Sequence, residues 1–213
     1  MTDTLTQLIA KVQIQLIDDG TRFTTATCTA AIRSCLKNVN ERAPINAGTR
    51  IDVVANQYEY ELSAEDDRVM SVLDILEWNS AELHLPLSFD AYTEDERIFF
   101  RLRVPLSTGE ILARYTIPHT ISGLDSATDS TPTPRLDQII VEGACAEALA
   151  FRAAARIETI NLQQNVSDNY REAMQHFRAA YENGLIAYLR DRRAQVSEPR
   201  TDAWNDVWHG LTS

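Results

Sequence analysis

Residues 133–150, which read TPRLDQIIVEGACAEALA, carry the clearest structural signal in the chain. Thr133 is a good N-cap residue, and Pro134 suits the first position of a helix because the N–H group it lacks needs no partner there. Glycine and alanine recur through the segment that follows. Small side chains allow another backbone to approach closely. We therefore predict a central, buried helix over Arg135–Ile157.

Three more helices are predicted on either side of this segment. The first has apolar residues at 5, 8, 9, 12 and 16 and ends near Asp18-Asp19-Gly20, where Gly20 suits a left-handed cap. The second is capped by Thr24 and stopped by Pro44. The fourth runs from about Ser167 to Arg193 and carries a long stripe of aromatic and apolar residues.

The pattern changes from helical to alternating between about Thr49 and His119. We predict one hairpin from 51–55 and 58–62, which turns at Asn56-Gln57. A second hairpin is predicted from 98–104 and 110–117, which flank Ser107-Thr108-Gly109. Residues 68–75 are interpreted as a further strand, with a short helix as the alternative. Four or five strands are thus expected.

The predicted fold class is α+β: an antiparallel bundle of four main helices, an inserted small antiparallel β-sheet or barrel lobe, and an extended C-terminal tail. The predicted domains are the N-terminal helical pair at 1–46, the β-rich lobe at 47–122, the C-terminal helical pair at 123–195 and a docking tail at 196–213.

Composition limits the classes of function. The chain has 213 residues, 44% of them hydrophobic, which suffices for one sizeable core. Its formal net charge of -11 argues against a surface that neutralises nucleic-acid phosphates. No apolar run approaches the ~20 residues of a membrane span, so we expect no membrane partner, and the first residues lack a signal-peptide pattern. Three cysteines without a CxxC pair indicate a reducing compartment.

No catalytic pattern emerges, and we predict neither an enzyme nor a cofactor or metal. The four histidines lie in separate segments, and no phosphate-binding glycine loop is present. Glu172 and His176 are interpreted as an exposed pair one helical turn apart. The two acidic clusters are Glu65-Asp66-Asp67 and Glu94-Asp95-Glu96. They are interpreted as solvated turns, with a divalent-ion site as the alternative.

Two features near the C-terminus leave alternatives open. Trp204 and Trp208 are four residues apart and follow a polar stretch broken by Pro199. They either fold back onto their own core or anchor in a pocket of another subunit, since tryptophan is a frequent interface hot spot. The basic cluster Arg190, Arg192 and Arg193 either complements a helix C-terminus or contacts an acidic partner or nucleic acid.

The ordered set of segments resembles the head-to-tail adaptor proteins, also called neck or head-completion proteins, of tailed bacteriophages. The resemblance covers most of residues 4–190. Its parts are an amphipathic first helix with an acidic turn, an aromatic-threonine pair, a second helix, two characteristic strands and a small-residue helix, followed by a last helix that contains tyrosines. The first six parts correspond in order to Leu5–Ile9, Arg22-Phe23-Thr24, Ala31-Ile32-Arg33, Tyr58–Leu62, Ala113–Leu124 and Ile139–Ala146. Ser63 stands where the family usually has proline.

The resemblance implies a non-enzymatic structural protein of the virion neck, synthesised in the host cytoplasm. About a dozen copies would form a ring beneath the portal protein, extend the DNA channel and dock the tail or stopper. Double-stranded DNA would pass without sequence-specific binding. Portal docking is assigned to Trp204, Trp208, Tyr188 and Leu189. Contacts between subunits are assigned to Arg190, Arg192, Arg193, Glu65, Asp66, Asp67, Glu94, Asp95 and Glu96.

Three alternatives remain at this point. The chain could be a stopper or tail-completion protein of the virion, which differs in position and copy number. A small metal-dependent hydrolase would use the acidic clusters, and a peptide-binding regulatory or scaffold protein of the host cytoplasm would be absent from particles.

Overall fold

The computed structural model describes residues 2–18, 20–62, 68–78, 84–157 and 164–197. Within these ranges the chain forms four helices and seven strands. They are α1 Leu5–Gln15, α2 Thr25–Arg42, β1 Ile45–Asp52, β2 Glu59–Glu61, β3 Ser71–Trp78, β4 His84–Pro86, β5 Phe89–Glu94, β6 Arg97–Leu102, β7 Glu110–Ile117, α3 Pro134–Ile157 and α4 Gln164–Ser197. The α+β class is confirmed.

The helices begin where local capping signals place them. The hydroxyl of Thr24 accepts a hydrogen bond from the backbone N–H of Thr27 at 3.3 Å. Thr133 does the same for the N–H of Leu136 at 3.3 Å, and Pro134 is the first residue of α3. Both predicted caps are confirmed. Each satisfies a backbone donor that a helix N-terminus otherwise leaves unpaired.

The end of α1 differs from the prediction. Gly20 does adopt a positive φ, +92°. However, α1 ends earlier, with Leu16 as its C-cap, and the first left-handed residue is Ile17, with a φ of +50°. The backbone N–H of Ile17 donates to the carbonyl oxygen of Ile14 at 3.0 Å, which closes the last turn before glycine is reached.

Contacts divide the chain into two compact units. One comprises Met1–Cys35 and Ile121–Ser213, and the other comprises Leu36–Thr120. We call them the helical unit and the β unit. The β unit begins within α2, and the boundaries at 46 and 122 remain a sequence-based prediction.

In the helical unit, α3 packs along α4 and against α1. The face of α3 that makes this core is apolar and small. Its buried residues are Leu136, Ile139, Ile140, Val141, Ala144, Cys145, Ala146, Ala148 and Leu149. Leu8 and Val12 of α1 and Leu185 of α4 are fully buried in the same unit. The small residues of α3 therefore allow close helix packing, as their composition suggested.

The β unit contains two antiparallel sheets. The first has the strand order β1-β7-β3-β4, and the second has the order β2-β6-β5. Alternate residues of both sheets share one apolar core, as expected when strands bury one face. Its buried members are Ala47, Tyr60, Leu62, Ile75, Phe100, Leu102, Ile111, Ala113, Tyr115 and Ile117.

Both predicted hairpins are wrong. β1 pairs with β7 over its full length, from Ile45 opposite Ile117 to Asp52 opposite Glu110, whereas β2 pairs with β6. After β1, the backbone N–H of Val53 donates to the carbonyl oxygen of Gly109 at 2.9 Å, and the chain crosses to the other sheet. Alternation identifies a strand with one buried face, but it does not identify the partner strand.

The second predicted hairpin fails for a related reason. Gly109 does adopt a positive φ, +113°. However, β6 and β7, the strands on either side of this turn, belong to different sheets and do not pair with each other. The actual partner of β6 in a hairpin is β5, which was not predicted, and neither was β4. Residues 71–78 form a strand, so the short-helix alternative is wrong there.

Candidate interaction surfaces

The C-terminal part of α4 presents the predicted basic cluster. Arg190 and Arg193 are exposed, while Arg192 is half-buried. Asp191 forms an ion pair with Arg135 of α3, which ties this end of α4 to the helical unit. Two exposed guanidinium groups thus project from a fixed helix end.

Tyr188 and Leu189, which were assigned to portal docking, lie on the same stretch of α4. Both side chains are half-buried in the helical unit. They therefore retain accessible surface beside the basic cluster. Trp204 and Trp208, assigned to the same contact, lie outside the described residues.

The acidic segment Glu94-Asp95-Glu96 is the tip of the β5–β6 hairpin. Glu94 faces Arg97 across the last pair of the ladder, and all three acidic residues are exposed. Asp95 and Glu96 have φ angles of +50° and +65°. A turn with two left-handed residues favours Asn-Gly, because a Cβ atom is strained in that region. Two carboxylates therefore occupy a turn that better-suited residues would form with less strain.

Beside this hairpin tip lies an open cavity of about 370 Å³, lined by Glu94, Asp95, Arg97 and Phe99. The ring of Phe99 stacks on Tyr92, with centroids 5.5 Å apart. Arg97 also contacts Glu61, with its guanidinium nitrogen 3.4 Å from the carboxylate oxygen. The cavity thus combines an aromatic wall with an acidic edge.

The charges around Tyr92 shift the pKa of its hydroxyl group. A hydrogen bond to the Glu59 carboxylate, together with burial and the negative charges of Glu59 and Glu94, raises the pKa of Tyr92 to about 12. Arg101 lowers the pKa of Tyr92, and the carboxylates outweigh it. Negative charge therefore predominates at the Tyr92 hydroxyl.

The second acidic cluster, Glu65-Asp66-Asp67, lies outside the described residues. Of the predicted contact residues, the structure therefore describes the basic cluster in the helical unit and the acidic hairpin in the β unit. The basic cluster belongs to the helical unit and the acidic hairpin to the β unit.

The buried side chain of His119 has structural partners. His119 has its backbone N–H bonded to the Asn40 side-chain oxygen at 2.7 Å, and its Nε2 lies 3.1 Å from the carbonyl oxygen of Ala43. These bonds tie the end of α2 to the segment after β7. Within the described ranges, no three side chains of histidine, cysteine, aspartate or glutamate converge as metal ligands.

The three cysteines are buried. Burial is the main cause that raises the pKa of Cys28 to about 11 and those of Cys35 and Cys145 to about 12. Such groups remain thiols at neutral pH and are poor nucleophiles. None of the described helices combines the length and apolar character that a bilayer crossing requires.

Sequence reasoning missed one exposed feature, the pair Ile14 and Ile17 at the end of α1. Their side chains are 73% and 93% exposed. Both fall outside the buried spacing of the helix at Leu8, Ile9 and Val12. That mismatch was the available signal, because an apolar residue off the buried stripe has no place in the chain's own core.

A family model described as SU10 adaptor protein matches residues 3–203 of the chain. The match covers nearly the whole sequence, and the chain belongs to this family. It is therefore a structural protein of the head-to-tail adaptor type, which confirms the resemblance seen in the sequence. A comparison with curated proteins gave no match.

Solved structures with similar chains come from gene transfer agent (GTA) particles. A chain in the neck of an empty GTA particle computed with C6 symmetry is 15% identical, with a TM-score of 0.27, and the match covers 57% of this chain and 65% of that one. A chain of the native GTA virion is 16% identical, with a TM-score of 0.27 and the same coverage. A chain in the native neck computed with C12 symmetry is 14% identical, with a TM-score of 0.28, covering 76% and 85%. The chain thus spans about two-thirds of the first two relatives.

Proposed function

We propose that this protein forms a ring, with about a dozen copies, beneath the portal protein of a virion. The ring extends the DNA channel and docks the tail or stopper. The observation that carries the proposal is the adaptor-family match over residues 3–203. The protein is non-enzymatic in this role, located at the head–tail junction, and made in the cytoplasm of the host.

The charge of the chain supports the channel role. At a formal net charge of -11, a ring of identical subunits accumulates strong negative charge. Binding to duplex DNA requires cations that neutralise phosphates, so an acidic lumen lets DNA slide without being held. Double-stranded DNA is thus a passing partner with no sequence-specific contact.

The arrangement we propose for each subunit follows the sequence interpretation. The four helices form an antiparallel bundle from 1–46 and 123–195, the lobe at 47–122 is inserted between the two helical pairs, and 196–213 form an extended docking tail. The packing of α3 on both α1 and α4 supports the bundle. The inserted position of the β unit in the chain supports the lobe.

Contacts between neighbouring subunits use charges of opposite sign. In a ring every interface is head-to-tail, so each subunit needs two different faces. We assign the basic face to Arg190, Arg192 and Arg193, and the acidic face to Glu94-Asp95-Glu96 and Glu65-Asp66-Asp67. The strained hairpin tip supports this assignment, because strain retained in a turn points to a requirement outside the turn's own stability.

Portal docking is assigned to Trp204 and Trp208 of the tail, with Tyr188 and Leu189 of α4. Tryptophan is enriched among interface hot spots. The accessible surface of Tyr188 and Leu189 would extend the contact of the tail onto α4. Deletion of the residues after Arg200 should abolish incorporation into particles while leaving the thermal stability of the free subunit unchanged. A large loss of stability would assign the tail to the subunit's own core.

Quantitative mass spectrometry of purified particles tests the proposed function directly. The copy number of this chain is measured against that of the portal protein. A ratio near one to one supports the neck ring. A lower, definite ratio identifies a stopper or tail-completion protein instead, and absence from particles contradicts a virion role.

Charge reversal tests the interface. Substitution of both Arg192 and Arg193 by glutamate should block ring formation, because like charges would then face each other. Substitution of both by lysine is the matched control, since it keeps the charge. An unaffected ring in the glutamate variant contradicts the assignment.

A further inference from the structure

Ile17, just after α1, has two unfavourable features: a strained backbone and an exposed apolar side chain. Ile17 has a φ of +50°, a region in which a β-branched residue is a steric outlier. Its side chain is 93% exposed, and that of Ile14, one turn earlier, is 73% exposed. Neither the backbone strain nor the exposed apolar surface stabilises the isolated subunit.

The loop around Ile17 is fixed by hydrogen bonds. The Asp18 carboxylate accepts bonds from the backbone N–H groups of Gly20 at 3.1 Å, Arg22 at 3.2 Å and Phe23 at 2.8 Å. The side chain of Phe23 is buried, which anchors the far end of the loop. The neighbours of Ile17 therefore define its conformation, and its side chain is held outward.

The exposed faces of two helices share one spacing. On α1 and just after it, the exposed residues at intervals of three and four are Gln7, Ala10, Ile14 and Ile17. On α4 they are His176, Ala179, Asn183, Ile186, Arg190 and Arg193. This spacing allows side chains of two helices to interdigitate. Each helix buries its opposite face within the helical unit, so these stripes face outward.

We infer that α1 of one subunit packs against α4 of a neighbouring copy, with Ile14 and Ile17 enclosing Ile186. Ile186 is the apolar centre of the α4 stripe and is 50% exposed. The contact is heterologous, since it joins two different faces of the same chain, and such a contact generates a ring when its rotation closes. The inference rests on the ring proposed above and identifies the apolar part of its interface.

Charge complementarity favours a second copy as the partner and a parallel orientation of the two helices. The carboxyl end of α1 carries the negative end of the helix dipole, and the Asp18 carboxylate adds a full charge there. Arg190 lies one turn beyond Ile186 on the exposed stripe of α4. A parallel arrangement places Asp18 near Arg190 when Ile17 meets Ile186. Only Arg190 of the basic cluster contacts α1, which leaves Arg192 and Arg193 to the acidic hairpin.

Cysteine cross-linking tests this contact. Ile17→Cys and Ile186→Cys are combined in one chain, assembled with the portal protein and oxidised. The result expected is a ladder of disulfide-linked dimers, trimers and larger species in denaturing gels, absent from either single variant. The native cysteines are buried and so contribute no background. Assembled rings that contain the double variant but give no ladder overturn the inference.

A second variant separates strain from contact. Ile17→Gly relieves the backbone strain, so the free subunit should melt at a higher temperature than the wild type. The same variant lacks the interface side chain. The protein concentration at half-maximal ring assembly should therefore rise about tenfold, the effect expected when an interface loses an apolar anchor residue. Val104→Ala, at a site 72% exposed in the β unit, is the control for loss of apolar surface.

The outcomes distinguish the two proposals. If Ile17→Gly raises the melting temperature and assembles like the wild type, the contact is wrong although the ring is right. If the wild-type chain forms no ring with the portal protein, the proposed function fails and this contact fails with it.

Discussion

Gly143 of α3 lies directly against the Sγ atom of Cys35 of α2. A Cβ atom at Gly143 would overlap that sulfur and would lie 2.8 Å from Cδ2 of the Tyr181 ring. Three helices therefore meet at one position where only a hydrogen atom fits. The small residues of α3 are thus a packing requirement, most strictly at this residue.

We expect Gly143→Ala to destabilise the protein. Alanine favours a helix over glycine by about 1 kcal/mol, but overpacking a dense core costs about 1–3 kcal/mol, so the clash prevails. Chemical denaturation measures the free energy of unfolding. Gly184→Ala is the matched control, because its Cβ would lie 3.0 Å from Cγ1 of Ile139, a tight contact that a shift of a few tenths of an ångström relieves. Equal stability of the two variants would show that Cys35 moves aside at little cost.

Asp137 should give the folding stability a distinct pH dependence. Burial raises the pKa of its carboxyl group above the usual range, although the backbone N–H of Asp3 donates a hydrogen bond to it at 3.2 Å. The folded state thus binds the proton more tightly than the unfolded state, and this group's contribution to stability falls as the pH rises through the raised pKa.

Asp137→Asn removes that titration. The free energy of unfolding of the variant, relative to that of the wild type, should increase as the pH rises from about 3 to about 7, the range in which carboxyl groups ionise. This trend does not depend on which of the two proteins is the more stable at a given pH. Urea unfolding at several pH values measures the difference. A difference independent of pH would show that Asp137 has an unperturbed carboxyl group.

The hairpin tip offers a test that separates stability from assembly. Replacement of Asp95-Glu96 by Asn-Gly supplies the residues that a left-handed turn favours. The variant should be more stable by about 1 kcal/mol, because a Cβ atom in the left-handed region costs roughly 1–2 kcal/mol and the larger unfolded-state entropy of glycine offsets part of that gain. It also removes two negative charges, so ring formation should weaken. Asp95→Asn alone is an intermediate control. A variant that is more stable and assembles normally would contradict the assigned role of these carboxylates.

The cysteines should be unreactive in the folded protein. With a pKa of about 11, Cys28 is ionised to only about one part in a thousand near pH 8. A thiol-specific chromogenic reagent should therefore detect three thiols in denaturant and essentially none beforehand. Rapid reaction of a native thiol would reveal local opening of the helical unit.

The helices were predictable because their signals are local. Thr24 and Thr133 each cap a helix within three residues, and apolar spacing shows which face is buried. The strand pairings were not predictable in the same way, because Ile45 finds its partner at Ile117, far along the sequence. Gly109 gave a true turn signal, and the error lay in assuming that the flanking strands pair.

The candidate contact surfaces were predictable only in part. Charge runs such as Glu94-Asp95-Glu96 are visible in a sequence. Their exposure is predictable because removing charged side chains from water is costly. The hairpin they form was hidden, because Asp95 and Glu96 are not the residues that such a turn favours. Ile17 was missed for the same reason, since nothing in the sequence indicates a left-handed isoleucine where Gly20 stands nearby.

The pairing of β1 with β7 also sets an order of events on the ribosome. β1 remains without its partner until residue 117 has been synthesised, so the first sheet closes late. The helical unit waits longer still, because α1 and the start of α2 need α3, which follows the entire β unit in the chain. Long-range closure of this kind slows folding. The β unit thus becomes complete first, and the apolar faces of α1 and α2 stay accessible to chaperones until α3 emerges.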